Sequence, residues 1–458
     1  MKNLNENGNI GQDVKKQFLA LLLVAVIIGV AALYILLGNQ PEPTQRGLLI
    51  EWQRYLPGIS GTSVIQTSDG AYLALGRNAS INVVSGEFGE FTNFTSIVVK
   101  TDESGNPIWA KTYSIVSGIT ETRLVKVVET SDGYVLAGTL SPAAYGFPEH
   151  FCLIKINFNG DVVWNKTYTR GVSDESYDLG GFIPANDGGY ALVGSFSSPA
   201  PSITYLWFLK ADSDGNLQFS KQLSIKNELP PDFGIPPWLG GRASALFQTN
   251  DSSYIIIGTA GSRPISPITS RIAKLDSNGN LQWHKEYGGE GNYYHTITYS
   301  AIATADGGYL IAGSAAPSGE AGKGIILKTD SELNMEWNRT YTYPSTIFSI
   351  SRANEGEFMF LGIGSETIND TTSGQYIWAW KIDSLGNVRQ QINIKKVDSY
   401  FFSSPASIIQ TKDCGYVFTG VNYFGSFYTN QLTADDKFWI MKLSEWHITK
   451  STRLIFYS

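Results

Sequence analysis

Apolar and polar residues alternate with a period of two over most of this chain, in short runs interrupted by glycine-bearing turns. One such stretch recurs. Its clearest copy runs from Ile272 to Tyr287 (IAKLDSNGNLQWHKEY), then after a spacer from Thr304 to Gly313 (TADGGYLIAG). Each copy predicts two β-hairpins. About seven copies fill residues 50–445, with a period of about 55–60 residues.

In the first hairpin an apolar run meets Asp-Gly and resumes at an aromatic residue, as at Asp132, Gly133 and Tyr134. Glycine reaches positive φ without steric cost, and aspartate can hydrogen-bond the backbone just ahead of it. The signal falls at Asp69/Tyr72, Asp132/Tyr134, Asp187/Tyr190, Asp251/Tyr254, Asp306/Tyr309, Gly356/Phe358 and Asp413/Tyr416. A glycine closes each second run (Gly76, Gly138, Gly194, Gly258, Gly313, Gly362, Gly420), where either a close neighbouring sheet or a bulge would call for it.

The second hairpin opens at Lys100, Lys155, Lys210, Lys274, Lys328, Lys381 and Lys442 and turns through Asp-x-x-Gly-Asn. In its outer strand Leu281, Trp283, Lys285 and Tyr287 share one face. A lysine placed between two aromatics can lay its stem along them. The row recurs as Trp109/Lys111/Tyr113, Trp164/Lys166/Tyr168 and Trp337/Arg339/Tyr341, decays to Phe219/Lys221/Leu223 and is lost around Gln390. A packing framework tolerates such decay, whereas a catalytic residue needed in every copy does not.

One outer strand stands out of order at the amino end, Glu51 to Tyr55 with Trp52 and Arg54, and the last copy lacks its own. Ring closure removes exposed strand edges. The expected fold is therefore all-β, a seven-bladed β-propeller of four-stranded blades whose last blade is closed by the amino-terminal strand. The tail His447–Ser458 is the alternative closing strand. An open solenoid would need capping repeats, and none is visible.

Composition agrees. Of 458 residues 13% are aromatic, 47 are glycine and only 16% are charged, which suits strands and turns. The net charge of −7, with no basic cluster outside the amino terminus, excludes nucleic acid as an expected partner. Cys152 and Cys414 are too few and too far apart for a disulfide framework.

Phe18–Leu37 is uncharged and almost wholly apolar, long enough to cross a hydrocarbon core of about 30 Å. Lys15 and Lys16 precede it, and no base follows before Arg46, so the amino terminus is expected in the cytoplasm. The apolar run continues to its end without an Ala-x-Ala-like site, which favours an uncleaved anchor over a signal peptide. The expected organisation is a cytoplasmic segment 1–16, a transmembrane anchor 17–38, a linker 39–47 and an extracytoplasmic propeller 48–458, placing the protein at the plasma membrane.

The Asp-Gly-Gly-Tyr and Lys-x-Asp-x-x-Gly-Asn-x-x-Trp repeats resemble those of archaeal and bacterial surface propellers. More remotely, the Gly-x-x-x-Trp spacing (Gly105/Trp109, Gly160/Trp164, Gly279/Trp283) is similar to the tryptophan-docking turn of pyrroloquinoline-quinone-type propellers. The resemblance implies the fold and brings no family-wide catalytic residues. The vicinal cysteines and calcium site of the quinone enzymes are missing here, so no cofactor is expected.

Conventional catalytic motifs are absent. His150, His284, His295 and His447 lack zinc spacing, and Gly319–Gly324 is a phosphate-loop near-miss. Asp212 to Asn216 reads as a hairpin turn rather than a calcium loop. No metal or catalytic residue is assigned. Sequons at Asn78, Asn93, Asn165, Asn250, Asn338 and Asn369 permit glycosylation of an extracytoplasmic domain.

Alternating strands place the two kinds of conserved-pattern turn on one face, and the longer connections 77–95, 139–150, 224–242 and 421–436 on the other. Binding residues concentrate on variable loops carried by a rigid scaffold. The candidate ligand-binding residues are Trp238, Tyr423, Phe424, Phe427, Tyr428, Phe88 and Phe91, suited to stacking on a glycan or gripping a surface protein. The expected function is a non-catalytic binding module. The competing expectations are a quinone-type oxidoreductase, a hydrolase using loop carboxylates such as Glu87, Glu90, Asp435 and Asp436, and a structural envelope component.

Overall fold

The computed structural model describes residues 45–82, 90–114, 119–142, 150–170, 176–199, 202–223, 241–260, 268–288, 293–317, 321–369, 372–395, 402–423 and 437–448. The expected anchor Phe18–Leu37 and the tail beyond Ile448 lie outside them. Among the described residues no helix is long and apolar enough to cross a membrane.

The described chain is 28 strands and a 3-10 turn at Asn354–Gly356. β1 is Gln45–Leu56, and β2 to β5 are Ser60–Gln66, Tyr72–Asn82, Glu90–Thr101 and Pro107–Tyr113. β6 to β9 are Ile119–Thr130, Gly133–Pro142, His150–Ile156 and Val162–Tyr168. β10 to β13 are Ser176–Pro184, Tyr190–Pro199, Ser202–Ala211 and Leu217–Leu223. β14 to β17 are Gly241–Gln248, Tyr254–Ala260, Thr269–Leu275 and Leu281–Tyr287. β18 to β21 are Tyr293–Ala303, Tyr309–Pro317, Lys323–Thr329 and Met335–Tyr341. β22 to β25 are Thr346–Arg352, Phe358–Asn369, Thr372–Ile382 and Val388–Lys395, and β26 to β28 are Phe402–Gln410, Tyr416–Tyr423 and Lys437–Ile448.

From β10 to β25 each successive four strands make one antiparallel sheet in chain order. β2–β5 and β6–β9 do likewise, and a single parallel bridge from Phe94 to Glu121 joins them into an eight-stranded sheet. The last sheet runs β1-β28-β27-β26. The amino-terminal strand thus completes the sheet made by the carboxy-terminal strands, as the displaced Trp52 row predicts. Across that seam the Ser444 hydroxyl donates to the Glu51 carboxylate.

Residues 48–445 form one compact unit, and its core lies between sheets. Leu73, Leu75 and Val98 of one sheet pack on Leu136 and Ile154 of the next, and comparable apolar clusters recur at each step along the chain. A further cluster joins the last sheet to the first through Trp52, Val64, Tyr72, Val417 and Phe438. The sheets therefore close on themselves, and burial of these side chains at about 1.5–3 kcal/mol each holds neighbours together.

The Trp-Lys-Tyr row reads the turn of the following sheet. A Cβ placed on Gly160, which sits at φ +82°, would lie 3.0 Å from the Trp109 ring; at Gly215 it would lie 2.8 Å from Trp164. Tyr113 donates to the Gly160 carbonyl at 2.8 Å, and Tyr168 to that of Gly215 at 2.7 Å. Lys285 keeps its ammonium 5.5 Å from the Trp283 ring centre and also donates across to Asn334 at 2.9 Å, as Lys111 and Lys166 do to Asp161 (2.6 Å) and Asn216 (2.9 Å). The lysine of the row serves the contact between sheets as well as its own aromatics.

Candidate functional site

The closing glycines locate the site. Leu124 pairs with Gly138 and Lys126 with Ala137, so Val125 is an extra residue in β6. The same one-residue slip falls opposite the closing glycine at Thr62, Gly180, Ser244, Tyr299, Phe348 and Ala406. A Cβ on Gly138, Gly258 or Gly313 would run into the carbonyl of Arg123, Arg242 or Ile297. Of the two reasons considered for these glycines, the bulge is seen at each of them. At Gly76 and Gly194 a close neighbouring sheet applies as well, since a Cβ there would lie 2.7 Å from Phe438 and 2.4 Å from Phe151. A bulge bends its strand and re-aims its side chains. The N–H groups beside it are caught by the preceding sheet: Leu124 N–H donates to Ser96 Oγ at 2.7 Å, and Ile408 N–H to Ser349 Oγ at 3.2 Å.

The bulged strands converge on an axial cavity lined by every first strand: β2, β6, β10, β14, β18, β22 and β26. Its inner part has a volume of about 220 Å³. A wider part of about 560 Å³ shares Thr62, Lys126, Gly180, Ser244 and Tyr299 with it and is lined by the opening halves of the first strands. That is the end from which the long, variable connections leave, since Arg77 and Val421, just before two of them, also line it.

The wider part is strongly basic for a chain of net charge −7. Arg77, Arg123, Lys126 and Arg242 line it with Asp178. Arg242 Nε donates to Asp178 at 2.6 Å, Arg123 stands 3.8 Å from the other carboxylate oxygen, and Arg77 pairs with Glu121. Among the described residues, Lys126 has neither a hydrogen-bonding nor an ion-pairing partner. Burial holds its ammonium below the ordinary lysine range, and Asp178 draws it part of the way back. On the opposite wall Tyr299 and Phe348, both bulge residues, stand with ring centres 5.1 Å apart. The arrangement suits holding a polar or negatively charged ligand. Both nearby carboxylates, Asp178 and Glu121, are engaged by arginines.

Of the sequence-derived candidates, Phe88, Trp238, Phe424, Phe427 and Tyr428 lie outside the described residues. Phe91 and Tyr423 sit on β4 and β27, with side chains outside the described set. Glu87, Asp435 and Asp436 lie outside it as well. The sequons at Asn165, Asn250 and Asn338 are exposed. Cys152 is buried, Cys414 is exposed in a turn, and both are free thiols. No cluster of three His, Cys, Asp or Glu able to hold a metal occurs among the described residues.

The axial residues were missed from sequence. A signal was present: at the position after the bulge the other copies carry Ser63, Gly181, Ala245, Ser300, Ser349 and Ser407, and only β6 carries a charge, Lys126.

No family model and no curated protein matches the chain. Among solved structures it is similar to the WD40 domain of Neurospora crassa Pan2, at 7% identity and a TM-score of 0.50, covering 86% of this chain and 95% of that one. It is also similar to a Dyadobacter fermentans protein of unknown function (11% identity, TM-score 0.48, 87% and 98% covered). A third is the β-propeller domain of the Trilobed protease from Pyrococcus furiosus (9% identity, TM-score 0.40, 85% and 98% covered). Together with the closed succession of four-stranded sheets, the first of these likenesses establishes an all-β fold of the β-propeller kind.

Proposed function

We propose that this chain is a membrane-tethered, extracytoplasmic binding module: a seven-bladed propeller, held by Phe18–Leu37, that takes its ligand at the variable-loop face without catalysis. The observation that carries the reading is the axial cavity, which widens to about 560 Å³ at that face and is walled by strands latched to one another. Concave sites on rigid frames, rimmed by loops, are where ligands are usually held. The repeat resemblance to archaeal and bacterial surface propellers supports the same placement, and exposed sequons at Asn165, Asn250 and Asn338 permit glycosylation there. A glycan or the exposed part of another surface protein is the ligand class. On this reading the sequence candidates Trp238, Tyr423, Phe424, Phe427, Tyr428, Phe88 and Phe91 supply the apolar contacts to the ligand.

Glycan-array binding and pull-down from membranes with the purified chain test the reading. The expected result is a ligand whose affinity falls about thirtyfold in Trp238→Ala or Tyr428→Ala, the effect of about 2 kcal/mol. A ligand turned over to product would instead make the protein an enzyme. Protease added to intact cells should digest the chain beyond residue 46; full protection behind an intact membrane contradicts the orientation.

A further inference from the structure

We infer that the floor of the axial cavity is a subsite for a carboxylate-bearing sugar, with Lys126 binding the carboxylate and Tyr299 and Phe348 packing on the ring. This deepens the binding-module reading and rests on it.

Three observations meet here. The first is a charge left over. Arg77 pairs with Glu121, and Arg123 and Arg242 share Asp178, so among the four cations lining the wider part Lys126 is the one without a hydrogen-bonding or ion-pairing partner among the described residues. Four cations against two carboxylates leave positive charge in excess, which calls for an anion, and a half-buried, unpaired ammonium gains from a carboxylate brought beside it. The second is position. Lys126 lines both the inner and the wider part of the cavity, so an anion entering from the loop face meets it at the junction. The third is shape. Thr62, Gly180, Ser244 and Ala406 are small at the positions where Tyr299 and Phe348 are large, leaving a space of about 220 Å³ with an aromatic wall on one side. Aromatic faces pack against the C–H face of a sugar ring, and the hydroxyl-bearing rim suits a polyol better than a purely aromatic acid.

The charge has no counterpart in the other copies, where Ser, Gly or Ala stands in its place. An unpaired, partly buried ammonium costs stability, so its presence needs a use other than folding.

Calorimetric titration of the purified full-length chain with D-glucuronate, and with glucose as the neutral counterpart, tests this. Glucuronate should bind at least tenfold more tightly than glucose, and weaken as salt is raised. Lys126→Met should lose at least tenfold in glucuronate affinity, with a melting temperature equal to or above that of the parent chain. Tyr299→Ala should weaken glucuronate and glucose alike. Failure of glucuronate to bind, or binding unchanged in Lys126→Met, overturns the inference, and so does a fall in the melting temperature of Lys126→Met, which would make the lysine structural. The binding-module reading fails separately, by the absence of any array or membrane ligand for the parent chain.

Discussion

At the scale of single residues, the recurrent device is an ion pair that ties the two hairpins of a sheet together. The lysine ending each third strand reaches back to the aspartate of the first turn: Lys100 to Asp69 at 2.6 Å, Lys210 to Asp187 at 2.8 Å, Lys328 to Asp306 at 2.8 Å. In the sixth copy, which has no such aspartate, Lys381 pairs with Glu357 and Glu445. Burial pushes the Asp69 and Asp306 carboxyls up, but hydrogen bonds from the lysine and from Thr67 or Thr304 outweigh it and hold both at about 2. A carboxyl depressed on folding stabilises the native state above its ordinary pKa of 3.8 and loses that contribution as pH falls to the folded value. The melting temperature should therefore be level between about pH 7 and 5 and fall steadily from about pH 4 to pH 2. A level profile down to pH 2 would show that these pairs do not contribute. Lys381 is only 2% exposed, and Lys381→Met takes the cation from Glu357 and leaves Glu445 only the Tyr416 hydroxyl, so it should cost about 3 kcal/mol in urea denaturation. Both partners of each pair were visible in sequence as markers of separate turns. Their pairing was not, because 22 to 31 residues separate them and only the antiparallel return of the third strand brings them together.

At the scale of strands and turns, the contact between sheets is a tryptophan seated on a glycine. Gly160 combines a left-handed backbone with the Trp109 ring overhead, whereas Gly307 has a similar φ of +85° and little above it but Ser331 at 3.5 Å. Alanine at Gly307 should cost about 1 kcal/mol, the backbone term alone. At Gly160 it should cost about 2–3 kcal/mol, because the indole must also move. Equal urea midpoints for the two variants would mean that Trp109 does not bear on the turn. The spacing of this row was legible in sequence because it repeats, and its decay at Phe219 and Gln390 marked it as packing. Which neighbour it packs on was not legible, since alternation fixes a side chain's face but not the sheet opposite. The closing glycines likewise left two explanations open until the register slip beside each of them was seen.

At the scale of the whole molecule, order along the chain was the most legible property and the site the least. Repeated hairpins fix which strands pair, and the displaced Trp52 row announces how the last sheet is completed. Deleting residues 48–56 removes Trp52 and Leu56 from the cluster joining the last sheet to the first, and should lower the melting temperature by well over about 5 °C. An unchanged melting temperature would mean that another segment closes that edge. The axial cavity was hidden because no single copy contains it: it exists only where seven bulged strands converge, each giving one to four residues. The central claim is that ligand enters at the loop face and reaches Lys126 and Tyr299, while the short turns at the other end stay uninvolved. Glycan-array binding by the parent chain, by Lys126→Met combined with Tyr299→Ala, and by Asn280→Ala tests it most directly. Signals lost in the double variant and kept in Asn280→Ala are the expected result; signals kept in the double variant and lost in Asn280→Ala would place the site on the opposite face.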